Sequence, residues 1–221
     1  MKKAIIFGTA AFAEVARVYL DADSPYTVTA FTVHDRYLEM TPELLGLPVV
    51  SFERLVETHP PDEFELFVAL GFSKVNKVRA AVVAEAKSKG YKLLTYVSSQ
   101  AHHVGHFEIG ENSFVFENNV IQPFVRIGDN TILWSGNHIG HHSTIGNNCF
   151  IASHIVISGQ CTIGDNCFIG VNATIRDGIK VAAECVIGAG AVILKDTIPR
   201  GIYKSTGTEP AEYTSDKLRN F

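Results

Sequence analysis

The stretch GNHIGHHSTIG, residues 136–146, holds three of the nine histidines of the chain within eleven residues. An unperturbed imidazole titrates at about 6.5, so it can exist as a neutral base or as a cation at physiological pH. Three chemistries follow. Imidazole lone pairs can converge on a metal ion. One neutral imidazole can take a proton from a nucleophile as it attacks, with its neighbour as helper. A histidine-rich polar turn with no reaction is the third. The choice depends on which rings face one another, and so on the element that carries them.

That element is legible in the spacing. Starting at Ile109 and stepping by six, fifteen consecutive positions, ending at Ile193, are Ile, Val or Leu. The following residue is often glycine, as at 110, 128, 140, 146, 164, 170 and 188. The fourth residue after the aliphatic is mostly small, including Ser113, Thr131, Ser143 and all four cysteines. Asn and Asp pairs, such as Asp129–Asn130 and Asn147–Asn148, collect where the chain must turn a corner and tolerate left-handed backbone there. This grammar predicts a hexapeptide-repeat parallel β-helix with three hexads per triangular coil. Each coil alone has no core, and stacking at roughly 4.8 Å supplies one. In this phase His141 and His142 fall on a corner outside the core. His138 lies on a strand and points outward. Cys149, Cys167 and Cys185 are 18 residues apart and stack in one column, read as small buried side chains rather than a metal or redox column.

The first part of the chain follows another rule. KAIIFG, YTVTAFTV, LPVV, FELFVAL and KLLTYV read as strands. Residues 10–22 and 73–90 read as helices, the second ending at Gly90, and Ser51 as the N-cap of a helix over FERLVETH. Alternation of this kind implies a small parallel α/β unit. The expected organisation is an α/β domain over 1–97, a β-helix over 98–200 and a C-terminal tail over 201–221.

The chain has 221 residues, 46% hydrophobic and 19% charged, with a net charge of −4. That balance gives no electrostatic reason for nucleic acid or an anionic membrane as partner. No apolar run approaches the roughly 18 residues of a membrane span. MKKAIIFG reads as a first strand rather than a signal peptide. Four cysteines without a CxxC spacing suggest reduced thiols in the cytoplasm.

The repeat IGNNCFIASHIVISGQCTIGDNCFIGVNATIRDGIKVAAECVIGAGAVILKD resembles the left-handed β-helix acyltransferases. With the α/β unit ahead of it, and GIYKSTGTEPAE after it, nearly the whole chain resembles sugar acyltransferases. These are the sialic acid O-acetyltransferase type and the nucleotide-aminosugar N-acetyltransferases. The fold class is then a Rossmann-like N-terminal unit plus a left-handed parallel β-helix.

The resemblance implies a homotrimer, with acetyl-CoA in clefts between neighbouring β-helices and a nucleotide-linked sugar on the α/β unit. Aligning GHHSTIG with the family's histidine corner puts His141 on the general base. His142 then stands where the family has Glu or Asp. A second histidine can stabilise the imidazolium only as an acceptor in a neutral tautomer, so either the orienting acid comes from elsewhere, or activity is weaker, or His142 contacts substrate. Backbone N–H groups at a coil turn would stabilise the oxyanion. Gly159, one coil above His141, would admit the pantetheine arm. Val171 and Ala189 would contact acetyl-CoA, and Lys195 or Arg200 its phosphates. In the turn FGTAAFAE only Gly8 survives of the family's glycines, and Phe12 replaces its histidine; Gly8, Thr9 and Phe12 are substrate candidates. Asp35 suits a ribose or base contact. Gly71 and Ser73, in ALGFS, match a second turn in outline. Trp134 would face outward near the cleft, packing the trimer or lining the acceptor site. N-acetylation of an amino sugar is the leading expectation, with sugar O-acetylation and a non-catalytic structural trimer as alternatives. No metal is expected. The related γ-class carbonic anhydrases use three zinc-binding histidines. Here His106 and His142 are suitably spaced, but Asn147 stands where the third ligand belongs.

Overall fold

The sequence KKAIIF buries its last four residues on both faces and forms the central strand β1 (Lys2–Phe7) of a parallel sheet. In the computed structural model, which describes residues 2–40 and 42–207, this sheet is built in order from α1 (Ala11–Ala22), β2 (Tyr26–Val33), α2 (Asp35–Leu38), β3 (Glu43–Leu44), β4 (Leu47–Ser51), α3 (Leu55–Thr58), β5 (Phe64–Val68), α4 (Lys77–Ser88) and β6 (Lys92–Leu93). The strand order is β3-β4-β2-β1-β5-β6, and all pairs are parallel except β3 with β4. The chain winds outward from β1 through β2 to β4 and then returns to β5 on the other side of β1. That reversal opens a crevice at the carboxyl ends of β1 and β5. Gly8 ends β1 with φ +121°, and a Cβ there would lie 3.0 Å from the Ala69 carbonyl oxygen, so the position needs glycine.

Three expected boundaries differ from the observed ones. The helix of 73–90 begins only at Lys77, because Lys74, Val75 and Asn76 adopt φ values of +51°, +52° and +63°. Asn76 is buried there and donates from Nδ2 to the Cys167 carbonyl at 3.0 Å, which repays the left-handed turn. The helix over FERLVETH is one turn, and Ser51 Oγ accepts from the Arg54 N–H at 3.1 Å without capping it. The strand expected over 92–97 breaks in two: Lys92–Leu93 closes the α/β sheet, and Tyr96–Val97 is already the first rung of the next.

From there the six-residue grammar becomes three parallel sheets of seven, six and five two-residue strands, each pairing with a strand 18 residues away except the last, Ile202–Tyr203, which pairs with Val186–Ile187 at 16. This is the left-handed parallel β-helix. Its aliphatic column from Val115 to Ile193 is buried, with Ile109 partly so. The four cysteines are buried free thiols, and Cys149 and Cys167 donate to carbonyls of the next coil, at Gly164 and Ala182. The last rung, Ile202–Tyr203, falls inside the expected tail, while 208–221 lie outside the described residues.

The three outer faces differ. The seven-stranded face presents Phe114, Ile132, Phe150 and Phe168, and the α/β unit covers it with Phe12, Phe31 and Phe67. The six-stranded face carries exposed Val120, Val156 and Val192 with half-buried His138. The five-stranded face is polar, with Glu108, Arg126, Thr144, Thr162 and Lys180. A ladder of left-handed asparagines ties the first face to β5. Asn112 Oδ1 accepts from the Val68 N–H at 2.7 Å, Asn112 Nδ2 donates to Asn130, and Asn130 Nδ2 donates to Asn148.

Arg79 of α4 completes the junction. It is fully buried, and its guanidinium donates to Asn130 Oδ1 and the carbonyls of Asn130 and Cys149 on one side. On the other it reaches Asn76 Oδ1 and the carbonyls of Leu70 and Gly71. Burial lowers its pKa to about 10, so it stays charged at neutral pH. Arg79→Met would leave Asn76 Oδ1 and the carbonyls of Leu70, Gly71 and Asn130 without this donor, while Asn130 Oδ1 keeps Asn112 and the Cys149 carbonyl keeps the Ile132 N–H. The expected loss is about 3 kcal/mol of stability, read as a lower Tm and faster amide exchange in α4. An unchanged Tm would remove Arg79 from this role.

Candidate active site

The corner that carries the histidines follows Ile139 and Gly140, where the chain passes from the six-stranded to the five-stranded face. His142 occupies the left-handed position with φ +58°, and its N–H donates to the Pro123 carbonyl of the coil below at 3.1 Å. The His141 N–H donates to Gln122 Oε1 at 2.9 Å. The two imidazoles meet through Nδ1 to Nδ1 at 3.1 Å. A contact of that length needs one N–H donor and one lone pair. With the proton on His141 Nδ1, its Nε2 keeps a free lone pair. His142 also packs on Phe124, ring centroids 4.5 Å apart.

Gly159, one coil on, is the floor on which the His141 ring sits. A Cβ there would lie 2.8 Å from His141 Cε1 and Nε2. The absent side chain therefore makes room for the imidazole. The Gly159 N–H donates to Asp177 Oδ1 at 2.8 Å. Both corner amides beside the ring, at 141 and 159, are thus occupied by side-chain oxygens, and neither is free for an oxyanion. Residues 141, 159, 177 and 195 form one column, so exposed Lys195 lies along the same corner. Val171 and Ala189 stack on a different corner, where the Gly190 N–H donates to the Val171 carbonyl at 2.8 Å. The His141 corner and the Val171 corner flank the six-stranded apolar face on its two edges. Arg200 is spent on Glu184 at 3.5 Å.

The α/β unit has its own cavity of about 400 Å³ at the crevice between β1 and β5. Gly8, Thr9, Ala10, His34, Arg36 and Leu70 are among its walls. His34 is oriented by Glu53, Nδ1 to Oε1 3.0 Å. Asp35 does not line the cavity; its N–H donates to Glu53 Oε2 at 2.9 Å. Gly71 and Ser73 are exposed beside it, and the Gly71 carbonyl is held by Arg79. Phe12 is corrected from substrate contact to core: it is buried among Phe67, Phe114, Phe116 and Trp134. Trp134 is likewise half-buried in this junction, stacked on Phe116 at 4.4 Å and 7°, and not at a cleft. Among the described residues no three His, Cys, Asp or Glu side chains converge as a metal site. His106 and His142 share a surface cavity, while His154 lies on another corner.

Sequence reasoning missed Gln122, Phe124 and Asp177. Phe124 is 18 residues before His142 and Asp177 is 36 after His141, so the coil period itself was the available signal. Gln122 is 19 before His141 and had no such signal.

Residues 108–141 and 142–177 match the bacterial transferase hexapeptide (six repeats) family, and residues 160–195 match the hexapeptide repeat of succinyl-transferase. No curated protein sequence matches the chain significantly. Among solved structures, a histidine mutant of perosamine N-acetyltransferase from Caulobacter crescentus, in complex with CoA and GDP-perosamine, is 25% identical. That alignment covers 89% of this chain and 90% of the other, with a TM-score of 0.79. PerB from Caulobacter crescentus, in complex with the same two compounds, is 25% identical over 92% of each chain, TM-score 0.79. The acetyltransferase domain of PglB from Neisseria gonorrhoeae, in complex with acetyl coenzyme A, shares the fold at 23% identity, 90% and 94% coverage and a TM-score of 0.61. Residues 108–195 thus carry hexapeptide-repeat transferase matches, and the likeness of the chain over nearly its full length is to sugar acetyltransferases.

Gly159→Ala tests the floor. The residue lies outside the left-handed region, and the obstacles to a methyl are two side-chain tips, the His141 imidazole at 2.8 Å and Asp177 Oδ1 at 3.2 Å, so Tm should stay within about 2 °C. The displaced imidazole should cost about 100-fold in kcat, measured by release of free CoA. Full activity in this variant would show that the ring position does not matter.

Proposed function

We propose that this chain is an acetyl-CoA-dependent N-acetyltransferase of a nucleotide-linked amino sugar, working as a cytoplasmic homotrimer with His141 as general base. The observation that carries the reading is the His141 imidazole, seated on Gly159 and paired with His142 through Nδ1. The likeness to structures that hold CoA and GDP-perosamine supports the substrate classes.

The acceptor amine attacks the thioester carbonyl and forms the C–N bond. His141 Nε2 takes the amine proton as positive charge develops on nitrogen. His142, with a lone pair on Nδ1, accepts the His141 Nδ1–H and holds the base in the tautomer that leaves Nε2 free. The tetrahedral intermediate then expels the CoA sulfur, and the imidazolium returns its proton to that thiolate. The donor is already activated, so no acyl-enzyme is needed. Lys195, further along the His141 column, is placed for a CoA phosphate.

The cavity at the β1–β5 crevice is the proposed nucleotide site, with the Gly8–Ala10 turn at the N-terminal end of α1. None of its walls comes from the β-helix, so one chain does not join it to His141. A trimer packed through the face of Val120, Val156 and Val192 brings one chain's histidine corner toward the next chain's Val171–Ala189 corner. That packing would also bury the exposed valines. No helix among the described residues is long and apolar enough to cross a membrane. The buried thiols fit a reducing compartment.

The test is CoA release from acetyl-CoA with UDP-, dTDP- and GDP-linked amino sugars and their hydroxyl counterparts. Release with one amino sugar, reduced about 100- to 10,000-fold in His141→Ala, is the expected result. Release with hydroxyl sugars alone would reassign the reaction to O-acetylation, and unchanged activity in the variant would exclude His141 as base.

A further inference from the structure

The left-handed corner positions of the β-helix are held mainly by residues that adopt that backbone cheaply. They are Asn at 112, 118, 130, 148, 166 and 172, and Gly at 136, 178 and 190. Five of the fourteen corners depart from that pattern: His142, His154, Gln160 and Glu184 are polar, and Phe124 alone is an apolar aromatic, at φ +67°. A bulky side chain is a poor occupant of this region. Burial does not repay the cost, since Phe124 is 69% exposed. Its ring instead stands against His142, which contacts the base.

Phe124 and His142 form one side of an open cavity of about 450 Å³, within the range of about 300–1,000 Å³ common for small-molecule sites. His106 stands in the same corner column, 18 residues before Phe124, and the neighbouring column carries Glu108 and Arg126, with Glu108 Oε2 and Arg126 Nε 3.2 Å apart and both side chains exposed. The cavity lies on the earlier coils. Gly159, Asp177 and Lys195, the column proposed to meet the donor, lie on the later ones. The histidine pair therefore separates a donor side from an acceptor side.

We infer that this cavity is the acceptor's monosaccharide subsite, and that Phe124 is a specificity-determining residue whose ring takes the C–H face of a pyranose while Glu108 and Arg126 read its hydroxyls. The acceptor's role in the reaction rests on the acetyl-transfer reading above; the sugar site itself stands on the cavity. A pyranose offers one apolar face and a rim of hydroxyls. An exposed aromatic ring beside a planar carboxylate–guanidinium pair matches both. A CoA phosphate would meet the Glu108 carboxylate, which argues against the donor as occupant.

The test compares native protein with Phe124→Asn and Phe124→Tyr. Saturation-transfer NMR with the methyl glycoside of an amino hexose should show transfer to the ring C–H protons in the native and Tyr forms. It should be lost in the Asn form. With the accepted sugar nucleotide, Phe124→Asn should raise the acceptor KM about tenfold and leave the acetyl-CoA KM unchanged. Its Tm should equal or exceed the native value, because Asn relieves the left-handed strain. Equal saturation transfer in native and Asn forms, or none in the native form, overturns the proposal. A lower Tm with loss of the trimer also overturns it and assigns Phe124 to a subunit contact. Phe124-dependent saturation transfer without turnover of any sugar keeps the subsite and removes the acetyl-transfer reading.

Discussion

A single buried cation holds the two halves of this molecule in register. Arg79 has no carboxylate among its hydrogen-bond partners. Its charge is met by backbone carbonyls and the side-chain oxygens of Asn76 and Asn130. A buried guanidinium so satisfied tolerates little displacement, because every lost acceptor exposes an uncompensated charge to a low-dielectric interior. The acceptors come from three places: the turn after β5, the residue that starts α4, and two coils of the β-helix. Arg79 therefore couples the crevice of the α/β unit to the β-helix through fixed geometry. The asparagine ladder does the same work beside it, reaching from Val68 across three coils.

The β-helix turns sequence distance into spatial distance. Residues 18 apart are neighbours, one strand spacing of about 4.8 Å apart. A functional corner is then a column, and each member has a defined neighbour above and below. His141 has Gly159 above it, Gln122 on its amide and His142 beside it. A rigid scaffold of this kind sets the base by backbone geometry more than by side-chain packing, which suits a site open to solvent.

In the proposed reaction that column divides the donor side from the acceptor side. The face with Val120, Val156 and Val192 separates the histidine corner from the Val171 corner, and the nucleotide-sized cavity lies in the other unit. A chain alone offers parts of a site on separate surfaces. Assembly through the apolar face is the arrangement that would collect them, with hydrophobic burial as its driving force.

The β-helix was legible because its physics is periodic: every sixth residue must be aliphatic, every corner must accept left-handed backbone, and both demands are written locally. The corner position of His141 and His142 followed from phase alone, and the Cys149, Cys167 and Cys185 column likewise. What phase could not reveal is contact between the units. Phe12 and Trp134 looked like site residues because each sits next to a functional turn. Both are claimed by an aromatic junction that exists only once the α/β unit lies on the seven-stranded face. Arg79 read as an ordinary helix residue until the carbonyls of distant coils closed around it. That Gly159 seats the His141 imidazole also needed the fold, which brings the two within contact. Sequence by itself determined the elements, their period and the residues at each corner, because these are set by local backbone and burial demands. The tertiary structure alone decided which faces meet and which nitrogen of His141 is left free, because those depend on long-range packing and on the partner that each buried or paired polar atom finds.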